Sequence, residues 1–465
     1  MRKVITIILL SITCFAQAQK VTFETLREIG LPVVIVETID AEEPSCDYLT
    51  PEDGYPGYSI HNETKVPGRV LVIEGNDTLY DSGDYEKDIS GMTIKLRGNS
   101  SAFTPKKPYK IKLQKKADML GEDEKYKDKN WLLLKEEYPS LNLMVGLKVN
   151  ELVGLQWTPR FRFVNLLFNG DYRGVYMLCE SVDRNTDCRL NVNKEGFIFE
   201  FDPYWWNEDL WFKSNVTNRR YTFKYPDAED VTAEQLDYLI DFMTKVDYSV
   251  DYSSYNGTYE QYIDMESFAS WILGHDILGT YDWYGSNIYM TKKDTLDSKL
   301  MMANMWDFDT IEMTPDTFSM VHTFSGGFYP YKLFNNTNQA FAETYLARWE
   351  ELNPTVFDEM ENFLNDFASS DVAEALETSR ALDNRRWEIT GPTVADNIAT
   401  NLEWFRKRQI WLEKAIPNEI VLLEIPHLYM KDEPSHQRYY HLNGQRVSEN
   451  TKGLIITNGY KYFKK

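Results

Sequence analysis

Three oxygen-bearing side chains stand at a spacing that suits phosphoryl transfer. They fall in Asp282-Trp283-Tyr284-Gly285-Ser286-Asn287 and, across a hairpin-like segment, in Trp306-Asp307-Phe308-Asp309. Moving a phosphoryl group asks for a carboxylate to accept the nucleophile's proton. It also asks for hard oxygen ligands that hold magnesium or manganese against the nucleotide phosphates. Asp282 suits the first role, and Asn287 with Asp307 the second. Asp and Asn also cluster in turns for backbone reasons, so this spacing alone leaves a purely structural origin open.

A second stretch adds positive charge. Arg97-Gly98-Asn99-Ser100-Ser101 leads into Lys106-Lys107-Pro108-Tyr109-Lys110-Ile111-Lys112-Leu113, in a chain whose net charge is −22. Segregated cations beside flexible backbone are what a polyphosphate needs. Alternation explains part of the run: Tyr109, Ile111 and Leu113 point inward from a strand, Lys110 and Lys112 outward. Arg97, Lys106 and Lys107 are left without that explanation. A third stretch, Tyr172 to Arg184, is a strand that exits into charge, with Glu180 placed to contact a nucleotide or to pair with Arg184.

The elements that must position these groups change character along the chain. From Leu31 to Leu113 short apolar runs separated by Gly, Pro, Asn and Asp predict an antiparallel sheet. Leu143, Leu147, Leu152 and Leu155 predict a helix, followed by a hairpin turning at Asn169-Gly170 and a strand ending at Asp202. After about Thr232 helical patterns dominate: AEQLDYLIDFMTKV, MESFASWILGHDIL capped by Asp264, AFAETYLARWEEL, FDEMENFLNDFA and LEWFRKRQIWLEKAI. After Pro417, EIVLLEI, YYHLNGQRV, GLIITNG and YKYFKK predict a small β module. The order implies an α+β fold in which a sheet part and a helical part meet at a cleft.

The ends and the composition narrow the setting. Met1-Arg2-Lys3, the apolar run Val4 to Phe15 and Ala16-Gln17-Ala18 predict a signal peptide over residues 1–18, hence an exported chain in the periplasm, on the cell surface or outside the cell. The apolar run is short of the roughly 20 residues that cross a bilayer, and no later segment reaches that length. The acidic balance argues against nucleic acid as a partner. Aromatic residues make up 14% of the chain, which suits a thick core or a sugar-stacking surface. Cys46, Cys179 and Cys188 remain after export, compatible with a Cys179–Cys188 disulfide or with three packed thiols. The scattered His residues suggest no zinc site.

Together these motifs resemble the spore-coat protein H (CotH) kinase family, an atypical protein-kinase-like group. The resemblance runs from about Leu31 to Ile416 and rests on RGNSS with KKPYKIKL, KNWLLL, FNGDYRGVYMLCESVDR, and NIYM through MWDFD. It implies a two-lobe fold, β-rich over about 31–230 and helical over about 231–418, within a kinase-like domain spanning 19–418. It implies transfer of phosphate from ATP to protein Ser or Thr with Mg2+ or Mn2+. Asp282 would be catalytic, and Asn287 and Asp307 would hold metal. Lys106 or Lys107 would meet the phosphates with Arg97 nearby, and Glu180 would help position the nucleotide. Many members carry an Asp and an Arg-Asn pair after the WLLL strand, where this chain has Pro139 to Gly146.

Residues 419–465 resemble the C-terminal sequences of exported Bacteroidetes proteins, tails that engage outer-membrane secretion machinery, and also suit an ordinary β module. The rival function is a catalytically silent surface protein that keeps the fold as a binding or structural module and contacts glycans through Trp and Tyr.

Overall fold

The computed structural model describes residues 20–49, 59–61, 64–136, 139–251, 258–284, 287–312, 314–318, 322, 328–428, 439–441, 446–447, 453–457 and 460–464. The signal-peptide reading lies outside them.

A short helix, α1 (Phe23–Ile29), precedes the first strands: β1 (Val33–Thr38), the small hairpin β2 (Asp47–Leu49) and β3 (Ser59–His61), then β4 (Val66–Glu74), β5 (Asp77–Asp81), β6 (Met92–Leu96), β7 (Tyr109–Ala117) and β8 (Asp128–Leu134). Helix α2 (Asn142–Leu152) interrupts, and the hairpin β9 (Phe161–Phe168) and β10 (Asp171–Glu180) follows. The sheet order is β1-β9-β10-β8-β7-β6-β4-β5, and a further β1–β4 pairing closes it into a barrel. Closure follows from alternation: Val34, Val70, Ile94, Ile111, Trp131, Val164 and Tyr176 all point into one core. The β9–β10 turn uses Asn169 and Gly170, both at positive φ, as a two-residue hairpin loop requires.

A second sheet, order β12-β13-β11-β14-β15, combines β11 (Phe197–Phe201), β12 (Trp211–Lys213), β13 (Arg220–Tyr225), β14 (Ile288–Lys292) and β15 (Leu300–Met302). Its apolar face shares a core with α2, α3 (Ala233–Asp251), α4 (Met265–Leu278), α5 (Tyr329–Phe334), α6 (Ala340–Ala368), α7 (Asp371–Trp387) and α8 (Val394–Leu428). The fold is α+β, with a β-rich N-terminal part that includes the barrel and a largely helical C-terminal part.

Several expectations change. The two helices expected over 340–368 are one, running through Pro354. EIVLLEI is not a strand: α8 continues past Pro417 to Leu428, because an apolar run of that length suits a buried helix turn as well as a strand. The terminal β module therefore begins later, as β16 (Tyr439–His441), β17 (Arg446–Val447), β18 (Gly453–Thr457) and β19 (Tyr460–Lys464) in one sheet. Cys46, Cys179 and Cys188 are free thiols. Among the described residues no helix is long and apolar enough to cross a membrane.

Candidate active site

A cleft of about 1180 Å³ lies between the outer face of β6, β7 and β8 and the second sheet. Arg97, Asp282, Asn287 and Asp307 all line it.

Asp282 is placed by what surrounds it. Helix α4 starts at Asp264, whose carboxylate accepts the Ser267 N–H, and ends at Gly279 in the left-handed region. A side chain on Gly279 would run into Trp404. Trp283, 1% exposed, then wedges edge-on against Trp271 at 5.8 Å between ring centres. The Asp282 N–H donates to Thr310 Oγ1 at 2.9 Å and the Tyr281 N–H to Thr310 O at 2.9 Å. These bonds tie the Asp282 turn to the segment that carries Asp307. Partial burial raises the Asp282 carboxyl above its ordinary range.

Asp307 leaves the β14–β15 hairpin in a strained backbone, φ +62°, which an L-residue holds only where its surroundings fix it. Helix α2 does the fixing. Asn150, fully buried, accepts the Met305 N–H at 2.7 Å, and Phe308 packs on Gly146. Burial raises the Asp307 carboxyl, Arg97 opposes that rise and Asp282 adds to it, and Asn287 and the Asp309 backbone hydrogen-bond it. Asn287 Nδ2 also lies 3.4 Å from Asp282 O. Two like charges share a partly dry corner with a neutral amide, an arrangement that a hard divalent cation relieves. The donor set therefore fits Mg2+ or Mn2+. Among the described residues there is no group of three or more His, Cys, Asp or Glu that could hold a metal, so Asn287 and Asp307 would supply only part of a metal's ligands.

Three expected residues do not face this cleft. Lys106 is buried against Asp383, its Nζ 2.7 Å from Oδ2. Lys107 Nζ donates to Ala102 O at 2.7 Å. Glu180 is fully buried on the far side, accepting from Arg160 Nη2 at 2.8 Å and the Arg160 N–H at 3.0 Å. Lys106 and Glu180 are turned away because a buried charge takes the partner within reach. None of the three is among the residues that line the cleft with Arg97, Asp282, Asn287 and Asp307.

The cations that do line the cleft include Lys95, Lys110, Lys112 and Lys224. Lys110 lies on β7, opposite the core-facing Tyr109 and Ile111. Outward from the barrel is here toward the cleft, not toward open solvent. Burial, with Lys95, Lys224 and Lys112 nearby, pushes its amine down to about 8, against the pull of Asp183. Lys224 Nζ lies 2.7 Å from Glu200 Oε2. Burial first, then Asp202 against the pull of Lys224, pushes Glu200 up to about 8. Alternation in KKPYKIKL carried the signal for Lys110. Lys224 and Glu200 lie on paired strands of which only β11 was legible.

The barrel, helix α2 packed behind Asp307, and a cleft of carboxylates facing lysines are the features that the comparison with known families addresses. The family model described as CotH kinase protein matches residues 94–412. The chain belongs to that family. A crystal structure of the Helicobacter pylori proinflammatory kinase CtkA is similar over 68% of this chain and 95% of that chain, at 11% identity and a TM-score of 0.26. No curated protein matches the chain.

Proposed function

We propose that this chain is an exported phosphotransferase that moves the γ-phosphoryl group of ATP to a protein Ser or Thr with Mg2+ or Mn2+. The observation that carries the reading is the convergence of Arg97, Asp282, Asn287 and Asp307 on one cleft, from positions up to 210 residues apart.

Each residue has a task the geometry suits. Arg97 and Lys110 face the phosphates and offset their charge. Asn287 Oδ1 and the Asp307 carboxylate would hold the divalent ion, whose chemistry there would be to offset the negative charge of the transferring phosphoryl group. Asp282, raised by burial yet open to the cleft, accepts the proton of the acceptor hydroxyl as its oxygen attacks phosphorus. Ser181 to Arg184, where β10 leaves the barrel, form the wall available to the base and sugar. Export is part of the proposal and rests on residues 1–18.

The test is a titration of the purified mature chain with Mg-ATP, followed by thermal unfolding. A ligand that binds only the folded state at 100 times its Kd adds about 2.7 kcal/mol of stability. A clear rise in midpoint that needs both metal and nucleotide supports the reading. An unchanged midpoint at millimolar Mg-ATP ends it and leaves the silent binding module in its place.

A further inference from the structure

Behind the loop from Arg97 to Pro108, on the side away from the cleft, lies a buried ion pair that the proposed chemistry does not use. Lys106 Nζ and Asp383 Oδ2 are 2.7 Å apart, although the residues are 277 positions apart in sequence. Lys106 is 7% exposed, and its amine also lies over the Tyr176 ring at 5.1 Å. Such a pair is weak evidence for stability, since apolar replacements of both partners are often no less stable. Its geometry suggests a different use.

Strand β10 is shaped to admit Asp383. Its register shifts between Tyr172 and Gly174, a bulge, and Gly174 sits at φ +103°. Any side chain there would collide with the Asp383 carboxylate. The Val175 backbone hydrogen-bonds that carboxylate. Helix α7 is clamped over the bulge by Arg386 Nε donating to Tyr172 O at 3.1 Å and Trp387 Nε1 to Arg173 O at 3.0 Å.

From Lys106 the restraint passes into the loop. Thr104 Oγ1 lies 2.8 Å from both Lys106 O and Ser101 O, and accepts from Lys135 Nζ at 2.7 Å. Tyr176 OH donates to Lys107 O at 2.9 Å. The opposite end of the same loop, Arg97 to Ser101, lines the cleft.

We infer that Asp383 is a positioning residue for the phosphate side of the cleft: through Lys106 it fixes the Arg97–Pro108 loop so that Arg97 and the backbone of Gly98 to Ser101 face the nucleotide. The inference rests on the phosphotransferase reading for its consequence, but not for the restraint itself.

The experiment compares wild type with Lys106→Met/Asp383→Asn, which removes both charges together and leaves neither buried alone, and with Lys106→Arg, which keeps the pair. Amide hydrogen exchange over residues 98–104 is read alongside KM and kcat for Mg-ATP. In the double variant the loop amides exchange about tenfold faster while the rest of the barrel is unchanged. KM for Mg-ATP rises about tenfold with kcat within about threefold, because Asp282 has not moved. Lys106→Arg returns both readouts to near wild type. Unchanged loop exchange in the double variant overturns the inference, as does faster exchange with an unchanged KM. A wild type that binds no Mg-ATP, yet shows the exchange difference, sinks the phosphotransferase reading while leaving the loop restraint standing. Should the double variant not fold, Lys106→Gln/Asp383→Asn, which also removes both charges but keeps a hydrogen-bonding group on each side, decides by the same two readouts.

Discussion

The ring of Phe308 occupies the space over Gly146 that any side chain on that glycine would need. One residue away is Asp307, so the contact couples the α2 surface to the proposed metal ligand. Gly146→Ala gains about 1 kcal/mol of helix propensity but overpacks a filled core at about 1–3 kcal/mol. The net expected change is a loss of stability in urea unfolding. The more telling result is a weaker Mg-ATP titration, because a displaced Phe308 carries Asp307 with it. Gly146→Ala with wild-type affinity would show that Phe308 does not set the Asp307 position.

Asp307 carries a cost in the metal-free protein. Burial raises its carboxyl, with Asp282 adding to the rise, so the native state holds its proton longer than the unfolded chain does. Stability from this group is therefore full below the ordinary carboxylate range and is lost as pH rises through the raised value. At neutral pH the ionised side chain destabilises the metal-free fold. Asp307→Asn is expected to melt higher than wild type without metal at neutral pH, with the gap closing as pH falls. Added Mg-ATP is expected to raise the wild-type midpoint and leave that of the variant unmoved. A variant that melts lower at neutral pH contradicts the burial argument.

Lys110 gives the cleft a titration of its own. Its amine is pushed down to about 8 by burial and neighbouring cations. A polyphosphate favours the charged form, so nucleotide binding takes up protons near pH 8 and weakens as pH rises through that value. Calorimetry in two buffers of different ionisation enthalpy reads the uptake. Lys110→Met is expected to lose it and to bind Mg-ATP about tenfold or more weakly, as loss of a charge-assisted hydrogen bond predicts. Retained proton uptake near pH 8 would move the phosphate contact to another lysine.

The barrel strands, α4 with its Asp264 cap and the convergence of Asp282, Asn287 and Asp307 were legible because they depend on local signals: alternation, caps and short-range spacing. What was not legible is long-range. Nothing near Lys106 announces Asp383, 277 residues away, and nothing near Glu180 says that Arg160 across the hairpin holds it. A lysine-rich segment tells that charge is present, but which lysine is sequestered is decided by tertiary pairing. Alternation places Lys110 outside the barrel but is silent on what stands outside. The extension of α8 was missed because an apolar run such as EIVLLEI carries no period that separates strand from buried helix.

Asp282 separates binding from chemistry. It stands beside the proposed metal site without belonging to it, so Asp282→Asn is expected to keep the Mg-ATP thermal shift while phosphate transfer falls by about 10²–10⁴, the usual worth of a positioned general base. Asp307→Ala is expected to lose both. Burial raises the Asp282 carboxyl, and a base works only when ionised, so kcat/KM falls as pH drops through that raised value. The acid limb of the pH profile should therefore lie above the range of a free Asp, and the residual activity of Asp282→Asn should lack it. Transfer by Asp282→Asn at the wild-type rate, with the same acid limb, would take the base role from Asp282 and leave the cleft holding nucleotide without this carboxylate in the chemistry.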